Sequence, residues 1–211
     1  MKPSARWYFD FISPFSYLQL GKVLRWRERL EITPVPIVFG AVLQHHGQLG
    51  PAEIKGKREF TYRIVQWQAE HEGVTLRFPE VHPFNPVTAL RLCVAAGTTW
   101  QSIEAIFAHI WCDGRAAITP TDLVEIGRAL GIENVESATS APQVKAQLRA
   151  NTEAAIATGV FGVPTLICGE HVFWGNDASA MIDDWLAHPA RFDAPEYRRI
   201  AQLPYGIERR R

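Results

Sequence analysis

The sequence predicts an α/β fold. A β-α-β unit opens the chain, a β-β-α unit closes it, and a large all-helical stretch lies between. Three observations predict this. Residues 5–12 are aromatic and β-favouring, and Ser13-Pro14, a helix-starting pair, follows them directly. Two short apolar runs, 163–168 and 171–174, flank Gly169-Glu170 near the end. Between these ends, Gly and Pro punctuate five segments of helical length.

The elements follow in order. Residues 5–12 read as a buried strand. Ser13 supplies a capping hydroxyl and Pro14 the first helical position. Tyr17, Leu18, Leu20, Val23, Leu24 and Trp26 then carry helical spacing to about Leu30. Ile32 to Phe39 reads as a second strand, placed at an edge by Pro34 and Pro36. Strand–helix–strand implies a parallel pair with a right-handed crossover. The five helical segments run from Gly50-Pro51 to Gly73, Asn85-Pro86 to Gly97, Thr99 to Gly114, Thr119-Pro120 to Gly131, and Ser140-Ala141-Pro142 to Gly159. Val163–Cys168 and His171–Trp174 form a hairpin around the Gly169-Glu170 turn, and Asp177 to Ala187 is a final helix. Residues 1–45 and 158–211 are expected to make one discontinuous domain, and 46–157 a helical insertion domain.

Composition excludes several classes. The charges balance, 22 Lys+Arg against 22 Asp+Glu, which argues against nucleic acid or a membrane surface as partner. No run approaches the length of a membrane span. The basic run Arg209-Arg210-Arg211 is short enough to be a solvated tail. Cys93, Cys112 and Cys168 are an odd set with no close pair, so no disulfide framework is expected and a reducing compartment is implied. Asp10 interrupts the N-terminal aromatic run and no small-residue cleavage site follows, so the expected location is the cytoplasm.

Candidate site residues carry two readings each. Ser13 is either only an N-cap or a hydroxyl donor to an anion at a helix N-terminus, where unpaired N–H groups and the dipole favour negative charge. No base partner is visible, so it is not expected to be a nucleophile. Pro164 either starts a strand in trans or, in cis, exposes the Val163 backbone as a strand edge that a peptide could pair with. Asn176 and Asp177 are helix caps, or a site for an amino-acid end group, or both. Lys55, Lys57 and Arg58 are a solvated face, or hold a substrate carboxylate, Lys57 foremost. His45-His46, and His109 with Cys112 and Asp113, lack the paired spacing of a structural zinc site, so no metal is expected.

The order of elements matches the thioredoxin layout, with Ser13-Pro14-Phe15-Ser16 where redox relatives carry Cys-x-x-Cys and Val163-Pro164-Thr165 where they carry the facing proline loop. Phe9-Asp10-Phe11-Ile12-Ser13-Pro14-Phe15-Ser16-Tyr17-Leu18, Val160-Phe161-Gly162-Val163-Pro164-Thr165 and Trp174-Gly175-Asn176-Asp177 together resemble the kappa-class glutathione transferase family of the thioredoxin-like superfamily. The resemblance spans about residues 6 to 187. It implies glutathione as cofactor, with Ser13 donating to its thiolate. Val163 and Pro164 would pair its backbone, and Trp174, Gly175, Asn176 and Asp177 would surround its γ-glutamyl end. It implies a small aromatic second substrate beside Lys57, Phe84 and Asn85, and a homodimer. The implied reaction is glutathione-dependent cis–trans isomerisation of a 2-hydroxychromene-2-carboxylate-like compound to its trans-o-hydroxybenzylidenepyruvate, in aromatic degradation. The alternatives are a conjugating transferase on the same site and a non-catalytic thioredoxin-like binding module. Disulfide exchange is excluded because Ser13 and Ser16 carry no thiol. The naphthalene-pathway members carry a lysine at the place of Leu43 and an Asn-Arg pair at that of Glu53-Ile54, so the chain departs from them there.

Overall fold

A computed structural model describes residues 1–204, 206 and 207. The Arg209–Arg211 run lies outside the described residues. Strand β1 (Ser4–Phe9) leads into helix α1 (Pro14–Trp26), then β2 (Glu31–Pro36). Seven helices follow: α2 (Phe39–His46), α3 (Lys57–Glu72), α4 (Val87–Ala95), α5 (Trp100–Phe107), α6 (Val124–Ala129), α7 (Val135–Ser140) and α8 (Pro142–Ala157). The chain returns as β3 (Thr165–Cys168) and β4 (His171–Trp174), then α9 (Ser179–Ala187) and α10 (Pro195–Ala201). The four strands form one sheet in the order β2-β1-β3-β4. β1 runs parallel to β2 and antiparallel to β3, and β3 pairs antiparallel with β4. This is the thioredoxin-like layout that the resemblance implied, with the helical stretch inserted after β2.

Alternation along β1 divides the core. Ala5, Trp7 and Phe9 face one side, joined by Phe11, Phe107 and Trp111 in the main cluster. Tyr8 faces the other, packing with Ile37, Val42, Ala155, Val160 and Val163. Both faces of β1 are therefore covered towards its C-terminal end.

Several boundaries differ from the sequence reading, each for a local reason. The first strand ends at Phe9 because the Asp10 carboxylate accepts the N–H of Ile12 (3.1 Å), a turn that closes the ladder. The second strand stops at Pro36, since Pro34 and Pro36 offer no N–H, and β2 lies at the sheet edge as expected. Phe39 begins α2 instead of ending a strand, and the second oxygen of Asp10 accepts its N–H (2.9 Å). The third helical segment is α5 followed by a wide π turn over Ala108–Cys112. The fourth opens with a short 3-10 turn, Thr121–Leu123, before α6. Helices α2, α7 and α10 lie outside the elements that the sequence predicts. The last hairpin and helix fall where expected, but α9 starts at Ser179, and neither Asn176 nor Asp177 caps it by a side-chain bond.

Candidate active site

Register brings three stretches to one end of the sheet. Tyr8 of β1 pairs with Thr165 of β3, which pairs with Trp174 of β4. The turn 10–13, the loop 161–164 and the turn 175–177 are therefore continuations of adjacent strand ends. Two further bonds fix them together. The Gly175 N–H donates to Pro164 O (2.9 Å), and Gln19 of α1 donates to Gly175 O (2.8 Å). The other end of Gln19 accepts from the Trp7 indole (2.9 Å), so this polar link is seated in the core.

Ser13 is the N-cap of α1. Its φ and ψ are −89° and 112°, and Pro14 occupies the first helical position, as the sequence predicts. Its Oγ accepts the Ser16 N–H (3.2 Å). That bond uses a lone pair, so the hydroxyl proton stays available to a ligand. The cap is therefore observed, and it leaves room for the donor reading in the same side chain. Ser16 is fully buried, and its hydroxyl has no partner among the described residues. Tyr17 is not an available acid: burial first, then Cys112, hold its phenol up at about 12, and it donates to Thr75 O (2.5 Å).

The turn before Ser13 is held from behind. The Trp111 indole donates to Phe11 O (2.8 Å), and His82 Nε2 donates to Ile12 O (2.9 Å). The Ser13 N–H donates to Asp10 O (3.1 Å). Asp10 is fully buried with no cation paired to it among the described residues; burial pushes its carboxyl up to about 7, against the pull of N–H groups from Phe39, Ile12 and Phe11. Sequence reading missed Asp10, His82 and Trp111 as site residues. The Asp10 position in the Phe9–Leu18 stretch was the one signal available.

On the opposite side the Val163–Pro164 peptide is cis. Among the described residues, the N–H and C=O of Val163 make no backbone hydrogen bond. Trp174 lies over Gly162, where a Cβ would sit 2.3 Å from the indole nitrogen. It also meets Phe161 edge-on at 5.1 Å, and both aromatics are substantially exposed, 54% and 40%. Gly175 has φ +90°, and a Cβ there would lie 2.2 Å from an Asp177 carboxylate oxygen, so only glycine fits under the folded-back acid. Asn176 is buried and committed. It accepts from Lys22 (2.8 Å) and donates to Gln68 (3.2 Å) and Glu72 (3.4 Å). It ties α1 and α3 to this turn, and leaves Asp177 as the freer polar side chain.

The second-substrate candidates divide. Phe84 is buried, beside the His82 ring (6.1 Å between centroids) and so near the Ser13 turn. Asn85 is exposed but folds onto the Val87 N–H (3.1 Å). Lys57 starts α3 and is exposed. A hollow of about 550 Å³ lined by Tyr17, Lys22, Glu72 and Glu104 includes none of Ser13, Val163 or Asp177, so the candidate site rests on the converging strand ends and not on this hollow.

His109 is buried, with Nε2 donating to Ala116 O (2.8 Å). Among the described residues no three His, Cys, Asp or Glu side chains are grouped to hold a metal. No described helix is long and apolar enough to cross a membrane.

A protein-family profile described as DSBA-like thioredoxin domain matches residues 6–187. Glutathione S-transferase kappa 2 of Caenorhabditis elegans is 26% identical over 206 residues, covering 87% of this chain and 92% of that protein. A protein named 2-hydroxychromene-2-carboxylate isomerase, from Pseudomonas sp. (strain C18), is 28% identical over 184 residues, covering 84% and 87%. A solved structure of 2-hydroxychromene-2-carboxylate isomerase superposes with a TM-score of 0.77 at 25% identity, over 90% of this chain and 97% of that one.

Proposed function

The chain belongs to the DSBA-like thioredoxin domain family, and from that premise we propose that it is a glutathione-dependent isomerase of a 2-hydroxychromene-2-carboxylate-like compound. The observation that carries this reading is a serine hydroxyl, with its proton free, at the helix terminus where redox relatives place a thiol. The similarity to proteins named as isomerases and kappa glutathione transferases supports it.

The residues present fit glutathione. Ser13 and the α1 terminus suit a thiolate. The Val163 N–H and C=O, which have no backbone partner among the described residues, suit a cysteinyl backbone in strand-like pairing. Asp177 suits an ammonium group, with Gly175 giving it room and Trp174 closing the side. Bound glutathione supplies a nucleophile that adds to a conjugated carbon and later leaves, so that a former double bond turns while single. The chain's part is to hold that sulfur charged and aimed. Lowering a thiol from its usual value near ~8.5 by two units takes about 2.7 kcal/mol, which a charge-assisted hydrogen bond plus a helix terminus can supply. The second substrate is placed beside Phe84 and Asn85, its carboxylate taken by a cation at the start of α3.

The same reading takes the protein as cytoplasmic and homodimeric. Three free cysteines among the described residues support the first. Exposed Phe60 and Trp67 on α3 offer an apolar face for the second.

Titration calorimetry at neutral pH tests the glutathione half. Wild-type protein is expected to bind glutathione with release of a proton, and Ser13→Ala to bind more weakly without that release. Absence of wild-type binding would move the weight to a binding module that kept the fold without the chemistry. Consumption of glutathione in step with product would instead favour the conjugating transferase.

Gly162→Ala gives a second check. The new methyl displaces the Trp174 indole, which is exposed enough to move, so stability should change by only about 0.5 kcal/mol. Glutathione should bind about tenfold more weakly, the scale of one lost aromatic contact. Unchanged affinity in a Gly162→Ala protein would remove Trp174 from the site.

A further inference from the structure

We infer that Arg58 holds the carboxylate of an aryl 2-oxo acid, and that Tyr62 and His82 fix Arg58 against the Ser13 turn. This rests on the isomerase reading and names the substrate group and its anchor.

A one-way hydrogen-bond chain carries the inference. Arg58 Nε donates to the Tyr62 hydroxyl (3.2 Å), and Arg58 Nη2 donates to His82 O (2.8 Å). The Tyr62 hydroxyl lies 2.7 Å from both His82 Nδ1 and His82 O; the carbonyl already has the Arg58 donor and Nδ1 has no other among the described residues, so the single Tyr62 proton serves Nδ1. His82 Nε2 must then carry the other proton, because its partner, Ile12 O (2.9 Å), can only accept. Burial and the Arg58 charge hold His82 below its usual value, which keeps the ring in this neutral form. Ile12 adjoins Ser13, so the guanidinium is linked to the proposed thiolate site through two side chains.

The guanidinium is therefore fixed before any ligand arrives. It also lies over the Tyr62 ring, at 5.4 Å. Two of its five N–H groups point inward; the other three have no partner among the described residues, and Arg58 is exposed. A rigid fork with free donors matches a planar carboxylate, and little side-chain freedom is lost on binding. The neighbouring acids do not neutralise it. Glu59 is turned to the Gly56 N–H (2.5 Å) and Glu53 to the Gly50 N–H (2.5 Å). Lys55 and Lys57 add positive charge nearby, but neither has a fixing contact among the described residues. Of the aromatics around His82, Phe84 and Trp111 are buried behind the ring, while Tyr62 and Phe78 are half-buried and offer a flank to an aryl group next to the carboxylate.

The test is direct binding, without glutathione, of trans-o-hydroxybenzylidenepyruvate and of its methyl ester. Wild type should prefer the acid by about tenfold to hundredfold, the size of a charge-assisted pair. Arg58→Ala should abolish that preference, Arg58→Lys restore it only in part, and Arg63→Ala, which removes an exposed cation further along α3, leave it intact. No preference in wild type, or its retention in Arg58→Ala, overturns the inference. Glutathione titrated into the same proteins keeps the two readings apart. Glutathione binding without acid preference sinks Arg58 alone, and acid preference without glutathione binding sinks the glutathione reading alone.

Discussion

Replacing Ser13 by alanine is expected to slow the isomerisation by about 10² to 10³-fold, the loss typical of one donor aimed at a developing anion. The fold should survive. The lost Ser16 N–H contact is a helix cap of about 1 kcal/mol, while Pro14 and the main-chain bonds around the turn persist. The pH profile separates a donor from a merely structural serine. In wild type the rate should already be on its plateau near neutral pH. In the variant the rise should move towards the ordinary thiol range near ~8.5, because the sulfur no longer has the hydroxyl to share its charge. Initial rates from pH 6 to 9 on both proteins would show this. Wild-type turnover in Ser13→Ala would end the proposed role.

The second large effect concerns stability. Asp10 is raised from 3.8 to about 7 by burial, so the native chain holds its proton more tightly than the unfolded chain does. Stability from this group is complete below pH ~4, falls as pH climbs through the folded value, and levels off above it. A shift of about three units corresponds to about 4 kcal/mol across that window. Asp10→Asn removes the titration but also one acceptor, leaving the Phe39 or Ile12 N–H against an amide nitrogen, at about 1–3 kcal/mol. The variant should therefore be the weaker protein at pH 5 and should narrow or close the gap at pH 8. Urea unfolding at the two pH values measures it; parallel losses in both proteins would show that Asp10 does not titrate in this range.

The sequence was most legible where a feature is local. Ser13-Pro14 reads as a helix start from two adjacent residues, and the hairpin reads from a turn flanked by two apolar runs. Three of the candidate segments fall together at the sheet end because strand register carries them there. Where the signal is not periodic, reading failed. Helix α2 begins at Phe39 behind an N-cap residue, Val38, that offers no side-chain bond, so the apolar run before it reads as more strand. Asp10 looked like an interruption in a strand, whereas both its oxygens serve backbone N–H groups that end it. Trp111 meets Phe11 across a hundred residues of chain, and His82 reaches Arg58 and Tyr62 of α3 only once the loop before α4 has folded back. No spacing rule announces contacts of that kind. Asn176 was legible as a residue of the turn, but its commitment to Lys22, Gln68 and Glu72 was not.

The supports of the 10–13 turn reach main-chain atoms. Trp111 takes the carbonyl of Phe11, His82 that of Ile12, and the Ser13 N–H returns to the carbonyl of Asp10. None of the three depends on the side chain at position 13. The mount and the reactive group are thus specified separately, like a chuck and its bit. A hydroxyl can be exchanged for a thiol there without loosening the mount, and an ancestor could have changed chemistry at this position in one step while its architecture stayed put.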